Sequence, residues 1–243
     1  MKSLSMTAKV LGSIATAAML TAALPFAANA EDSNIQFGNS WDGPGASLQE
    51  QLDALDANID TVKDESGAEL FQPTGRNVRS FLLFEIAGFA PFNTVGLYNS
   101  AGTKWELFEG SDEGFTRSDR ISTQDLEAAD FGTFGLYLTN KNGETFYSEA
   151  SKNGGDDQFL AYQGSGQEIK RTADSNRTFD LNFNDYLFAF EDLSLGNSDQ
   201  DYNDFVGVIR RVTEVEAVPE PTAMIGLFAV AGGALAMRRR QSA

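Results

Sequence analysis

The 243-residue chain has no cysteine and no histidine, and it carries 35 acidic against 18 basic residues. Without imidazole or thiol there is no Ser-His-Asp or Cys-His catalysis and no nitrogen or sulfur ligand for zinc or copper, so any metal must be a hard cation bound by oxygen. A net charge of −17 repels nucleic acid and anionic lipid and attracts cations.

At the start of the chain, Lys2 and Lys9 precede an apolar stretch from Val10 to Ala28 that Pro25 interrupts. Ala28-Asn29-Ala30 then fits a small-x-small cleavage site. This pattern predicts a secretory signal peptide over residues 1–30, with signal peptidase as a partner and Glu31 as the first mature residue. Removing Lys2, Lys9 and the three arginines at 238–240 from the basic residues, and Glu220 from the acidic ones, leaves 13 against 34. Residues 31–218 therefore carry −21. That length suffices for one domain with its own core, without disulfides, and the domain is placed at 31–215.

One helix opens this domain. Ser47 with Glu50 is a capping-box pair, and Leu48, Leu52, Leu55, Ile59 and Val62 recur at four and three residues. Asp53, Asp56 and Asp60 point the other way, which predicts an amphipathic helix with a solvated acidic face packed on a sheet.

After Gly67 the helical period gives way to short aromatic and β-branched runs: Val78–Ile86, Thr94–Tyr98, Trp105–Glu109, Gly135–Thr139, Thr145–Ser148, Gln158–Gln163, Tyr186–Phe190 and Phe205–Val212. Clusters rich in Asn and Gly separate them, and Lys141-Asn142-Gly143 is the clearest hairpin signal. The fold class expected is mainly β, a β-sandwich or jelly roll with one N-terminal helix.

The chemistry concentrates in Phe190–Phe205, FEDLSLGNSDQDYNDF. Glu191 and Asp192 end an apolar strand, and Asp199, Asp201, Asn203 and Asp204 crowd the loop before the next one. So many oxygen-bearing side chains repel one another unless a cation neutralises them, and Ca²⁺ takes six to eight oxygens in tolerant geometry. The Asp199-x-Asp201-x-Asn203 spacing imitates the start of an EF-hand loop. The sixth position is however Asp204 rather than Gly, and the twelfth is Arg210 rather than Glu. A loop site between strands is expected instead, with Glu191 or Asp192 closing it. Asp156 and Asp157 join it if the fold brings their turn alongside.

FAFEDLSLGNSDQDYNDFVGVIR is similar to the C-terminal signature of a bacterial domain-of-unknown-function family found in exported, calcium-associated proteins. The shared pattern is FEDL, a short gap, then D-x-D-[FY]-N-D before an apolar strand. Glu85–Gly88, Asn93–Tyr98 and Gly155–Tyr162 also resemble blocks of that family, over about residues 75–212. Gln158 stands where many relatives carry a histidine. The resemblance implies a domain type and a cation, and no reaction.

The chain closes on VPEPTAMIGLFAVAGGALAMRRRQSA. Pro219 and Pro221 flank Glu220 and hold the segment extended. Ala223 to Met237 is an uncharged run of about 22 Å as a helix, followed by Arg238, Arg239 and Arg240. The arginines should stay cytoplasmic, which puts the preceding domain outside. This stretch, over residues 216–243, closely resembles the PEP-CTERM sorting signal of bacteria. The resemblance implies an exosortase partner that removes the tail, and so a transient membrane anchor; an ordinary short anchor is the alternative.

Together these readings give an exported protein of the cell surface or extracellular matrix, calcium-binding and non-enzymatic, with exopolysaccharide as a further partner. A carbohydrate- or protein-binding module of adhesin type is the alternative. A glycosidase built on a carboxylate pair such as Glu191 and Asp204 is the third class.

Overall fold

The computed structural model describes residues 37–112 and 114–215. The expected signal peptide at 1–30 and the expected sorting tail at 216–243 lie outside the described residues.

Helix α1 (Leu48–Ala54) starts as its sequence requires. The Ser47 hydroxyl accepts the Glu50 N–H at 3.5 Å and donates to Glu50 Oε2 at 2.8 Å, giving one orphan donor of the first turn a partner. The end differs from the expectation. Asp56 and Asn58 take φ of 53° and 50°, and the Asp56 and Ala57 N–H groups bond back to Asp53 O and Leu52 O, each at 3.0 Å. That closure is a Schellman motif with aspartate where glycine is usual. Leu48, Leu52, Leu55 and Ile59 are all buried, but Ile59 reaches the core from the chain beyond the helix. Val62, the last residue of the apolar stripe, is 67% exposed.

The strands follow in order. β1 (Leu70–Pro73), β2 (Asn77–Phe84), β3 (Thr94–Tyr98), β4 (Lys104–Phe108), β5 (Thr116–Arg117) and β6 (Ile121–Ser122) precede a second short helix, α2 (Thr123–Ala128). Then come β7 (Phe134–Thr139), β8 (Thr145–Tyr147), β9 (Phe159–Gln163), β10 (Gln167–Lys170) and β11 (Thr178–Leu181). β12 (Asp185–Phe190), β13 (Phe205–Arg210) and β14 (Val212–Glu214) complete the described chain. The molecule is mainly β, and its sheets are antiparallel. The first sheet runs β14-β1-β7-β3-β4 with β8 on β7; the second runs β5-β2-β13-β12-β9 with β6 on β2; β10 and β11 form a separate hairpin. The Lys141-Asn142-Gly143 turn joins β7 to β8, with Gly143 at φ 79° where a side chain would strain the backbone.

Both sheets contribute to one core. Phe71, Leu97, Phe134 and Leu136 come from the first, and Leu82, Phe159, Phe188 and Phe205 from the second. The other face of the second sheet is also covered. There Leu48, Leu52 and Leu55 of the α1 region and Ile169 and Leu181 of the hairpin meet Leu160, Leu187, Ala189, Val206 and Val208. This explains why β12 and β13 read as unbroken apolar runs. Tyr186, Phe188 and Phe190 enter one core, while Leu187 and Ala189, at alternate positions, enter the other.

Candidate metal centre

β12 and β13 are register partners from Asp185↔Arg210 to Phe190↔Phe205. The residues between them close over the strand ends. Gln200 and Tyr202 both adopt left-handed backbone, φ 58° and 56°, which costs a non-glycine residue roughly 1–2 kcal/mol. Tertiary bonds hold this conformation. The Tyr202 N–H donates to Glu191 Oε1 at 2.6 Å, and the Tyr202 hydroxyl donates to Asp157 O at 2.6 Å. The Asp192 N–H donates to Asp204 Oδ2 at 2.8 Å. Asn203 donates to Asp201 through its backbone N–H (3.2 Å) and through Nδ2 (2.6 Å). The buried Gln158 amide, its nitrogen toward Leu193 O at 2.9 Å and its oxygen toward the Leu195 N–H at 3.0 Å, ties the loop to β9.

The segment before α1 lies across this loop. Gly38 N–H donates to Gln200 O at 2.9 Å, Trp41 N–H to Asp199 Oδ2 at 2.6 Å, and Asn203 Nδ2 to Ala46 O at 2.7 Å. The approach is so close that a Cβ on Gly38 would sit 1.7 Å from Asp199 O. The segment thereby delivers Asp42, and the carboxylates of Asp42, Asp199 and Asp201 all lie within 4.8 Å of one another. Asp42 was not among the sequence candidates. It precedes the loop by more than 150 residues, and Asp42-Gly43-Pro44-Gly45 reads only as a turn.

Of the six sequence candidates of the loop, Asp199, partly exposed, and Asp201, fully buried, meet Asp42. Glu191, Asp192, Asn203 and Asp204 are buried beside them in the chain, at 0%, 3%, 1% and 8% exposure. Asn93 Nδ2 bridges Asp192 Oδ2 (3.0 Å) and Glu85 Oε1 (3.1 Å), a partner that sequence reading missed. Asp156 and Asp157 are not in the group that Asp42 joins. Asp156 is exposed, and the acidic groups acting on the Asp157 carboxyl are Glu65 and Glu69.

The electrostatics are unfavourable throughout. Burial pushes the Glu191 carboxyl up to about 7, with Asp201 and Asp199 adding to the effect. Burial likewise moves Asp201 to about 6 and Glu85 to about 8. Asp192 and Asp204 are raised as well, first by desolvation and then by neighbouring carboxylates. Among the described residues no lysine or arginine forms an ion pair with any of these groups. Three buried oxygens, Glu191 Oε2, Asn203 Oδ1 and Asn93 Oδ1, accept no hydrogen bond. A buried acceptor without a partner costs about 1–3 kcal/mol. The carboxylate oxygens of Asp42, Asp199 and Asp201 make a donor set that fits a hard cation such as Ca²⁺, and a cation there would relieve the repulsion among them.

No family model matches the chain, and no curated protein or solved structure matches it either.

Proposed function

We propose that this chain is an exported, non-enzymatic protein of the cell surface or matrix, whose β domain is held together at one end by Ca²⁺. Asp42, Asp199 and Asp201 would hold the ion, backed by Glu191 and Asn203. The observation that carries the reading is the fully buried Glu191, with one carboxylate oxygen unpartnered, beside two further carboxylates and no basic residue. In the same reading the two antiparallel sheets form a sandwich of jelly-roll type, signal peptidase releases residue 31, and an exosortase acts on the Pro219-Glu220-Pro221 tail. Glu191 and Asp204, at the two ends of the loop, are buried, which favours a structural role over hydrolysis.

Calcium titration of the exported chain by calorimetry tests the proposal. One equivalent should bind, with Kd on the order of 10⁻⁴–10⁻³ M as in other extracellular modules, and Asp201→Ala should remove the heat signal. Undetectable binding at millimolar calcium would overturn it.

A further inference from the structure

The strands that end at the acidic loop begin, at their other end, among arginines. Five residue steps at about 3.3 Å separate the two ends by roughly 17 Å. At the far end Arg79 of β2 is the register partner of Arg210 of β13, and Arg117 of β5 is the register partner of Phe81. Like charges directly opposite each other on neighbouring strands are destabilising. Burial first, then the charges of Arg120, Arg211, Arg210 and Arg117, hold the Arg79 guanidinium below its usual value.

Local partners do not resolve this repulsion. Arg210 pairs with Asp185 at 2.9 Å, and Arg211 Nη1 donates to Asn77 Oδ1 at 2.6 Å. Among the described residues, Arg79, Arg117, Arg120 and Arg171 form no ion pair, in a chain where acidic residues outnumber basic ones almost two to one. Arg79 Nε and Arg171 Nε are buried without a hydrogen-bond partner. Arg117 and Arg171 are instead ordered on a floor of Phe81, Phe115 and Phe179, whose rings lie 5.4–6.1 Å apart. Arg117 lies 5.4 Å from the Phe81 ring and Arg171 5.0 Å from the Phe115 ring. Stacked guanidiniums keep their donor edges free for planar anions.

We infer that this end of the second sheet binds an anionic polysaccharide through its carboxylate or sulfate groups. Arg79 of β2 and Arg117 of β5 lie on neighbouring strands about 4.8 Å apart, offset by two residues because Arg117 is the register partner of Phe81, while Arg210 on β13 is already paired with Asp185. Unpaired guanidiniums spaced along one face suit a linear polymer bearing a charge at regular intervals. Bidentate guanidinium–anion bonds would use the free donor edges of these side chains. The assignment rests on the matrix reading above for the polymer's presence. It does not depend on calcium.

The test uses the exported chain with chelator present, so that calcium cannot bridge acidic groups. Polygalacturonate, dextran sulfate and neutral dextran are titrated at low salt against this chain and against Arg79→Gln/Arg117→Gln/Arg120→Gln. A second variant, Arg117→Gln/Arg120→Gln, changes only exposed residues and guards against misfolding. Binding to one or both anionic polymers and not to dextran is expected, weaker by at least about tenfold in the triple variant and weakened by salt. Which polymer binds identifies the anion. Equal binding to dextran, or anionic binding that neither variant weakens, would overturn the inference. So would polymer-free self-association lost in the variants, because a second copy's acidic surface would then be the occupant. If calcium stabilises the chain but no polymer binds, this inference alone fails; the reverse outcome removes only the calcium reading.

Discussion

At the scale of the residue, the acidic side chains separate into loop carboxylates proposed to hold a cation and exposed ones that face water. Asp201→Ala should abolish calcium-dependent stabilisation, read as the difference in melting temperature with calcium and with chelator. Asp53→Ala and Asp56→Ala should both leave that difference unchanged; any stability Asp56→Ala loses comes from its left-handed backbone (φ 53°) and its largely exposed 2.7 Å ion pair to Lys170, with or without calcium. If loop and helix aspartates respond alike, binding is diffuse and driven by net charge. The pH dependence has a defined sign. Glu191, Asp201 and Glu85 have folded-state values raised from 4.5, 3.8 and 4.5 to about 7, 6 and 8. The folded state therefore holds these protons more tightly than the unfolded chain. Their contribution to stability is fully present below about pH 4 and is lost as pH rises through 6 to 8. Calcium needs the ionised forms, so its affinity rises across the same window. Melting curves from pH 5 to 8 should fall in chelator and diverge upward in calcium. A chelated curve that rises over this range would contradict the assignment.

The elements show what was legible in the sequence and what was not. Thr94–Tyr98 is the strand its aromatic and β-branched composition indicates, and the Asn-Gly turn makes the expected hairpin. The density of loop carboxylates marked the candidate site, but Asp42 and Glu85 joined it only through tertiary contacts that one sequence does not encode locally. The helix was overrun, because Asp56 occupies a left-handed position that glycine normally signals. β1, β5, β6 and β14 carry too few aromatic and β-branched residues in sequence to stand out as strands, whereas β8, equally short, is marked by the Asn-Gly turn before it. The β10–β11 hairpin is mostly polar, and its apolar contribution, Ile169 and Leu181, only becomes a pattern when folded over the second sheet. Leu52→Ala or Leu55→Ala should cost about 2–5 kcal/mol with or without calcium, measured by denaturant unfolding. A loss of less than 1 kcal/mol would mean that the α1 region is not integral to the second core.

At the scale of the whole molecule, one pair of strands carries an acidic loop at one end and an arginine cluster at the other. The −21 of residues 31–218 is thus not spread evenly, and the proposed cation would act where carboxylates crowd together. At a hundredfold excess over Kd, ligand binding contributes about 2.7 kcal/mol, which for a domain of this size corresponds to a rise of roughly 5–10 °C in melting temperature. The ends of the chain make a separate prediction. Replacing Pro219 and Pro221 by alanine should trap a membrane-bound precursor, and mass spectrometry of wild-type surface material should find no peptide from Ala223–Met237. Recovery of such peptides would contradict sorting by tail removal. The central claim, a calcium site at the loop, is tested most directly by a high-resolution electron-density map of Phe190–Phe205 from crystals grown in millimolar calcium. A cation is expected about 2.3–2.6 Å from oxygens of Asp42, Asp199 and Asp201. Density that shows only waters at hydrogen-bond distance from these carboxylates would contradict it.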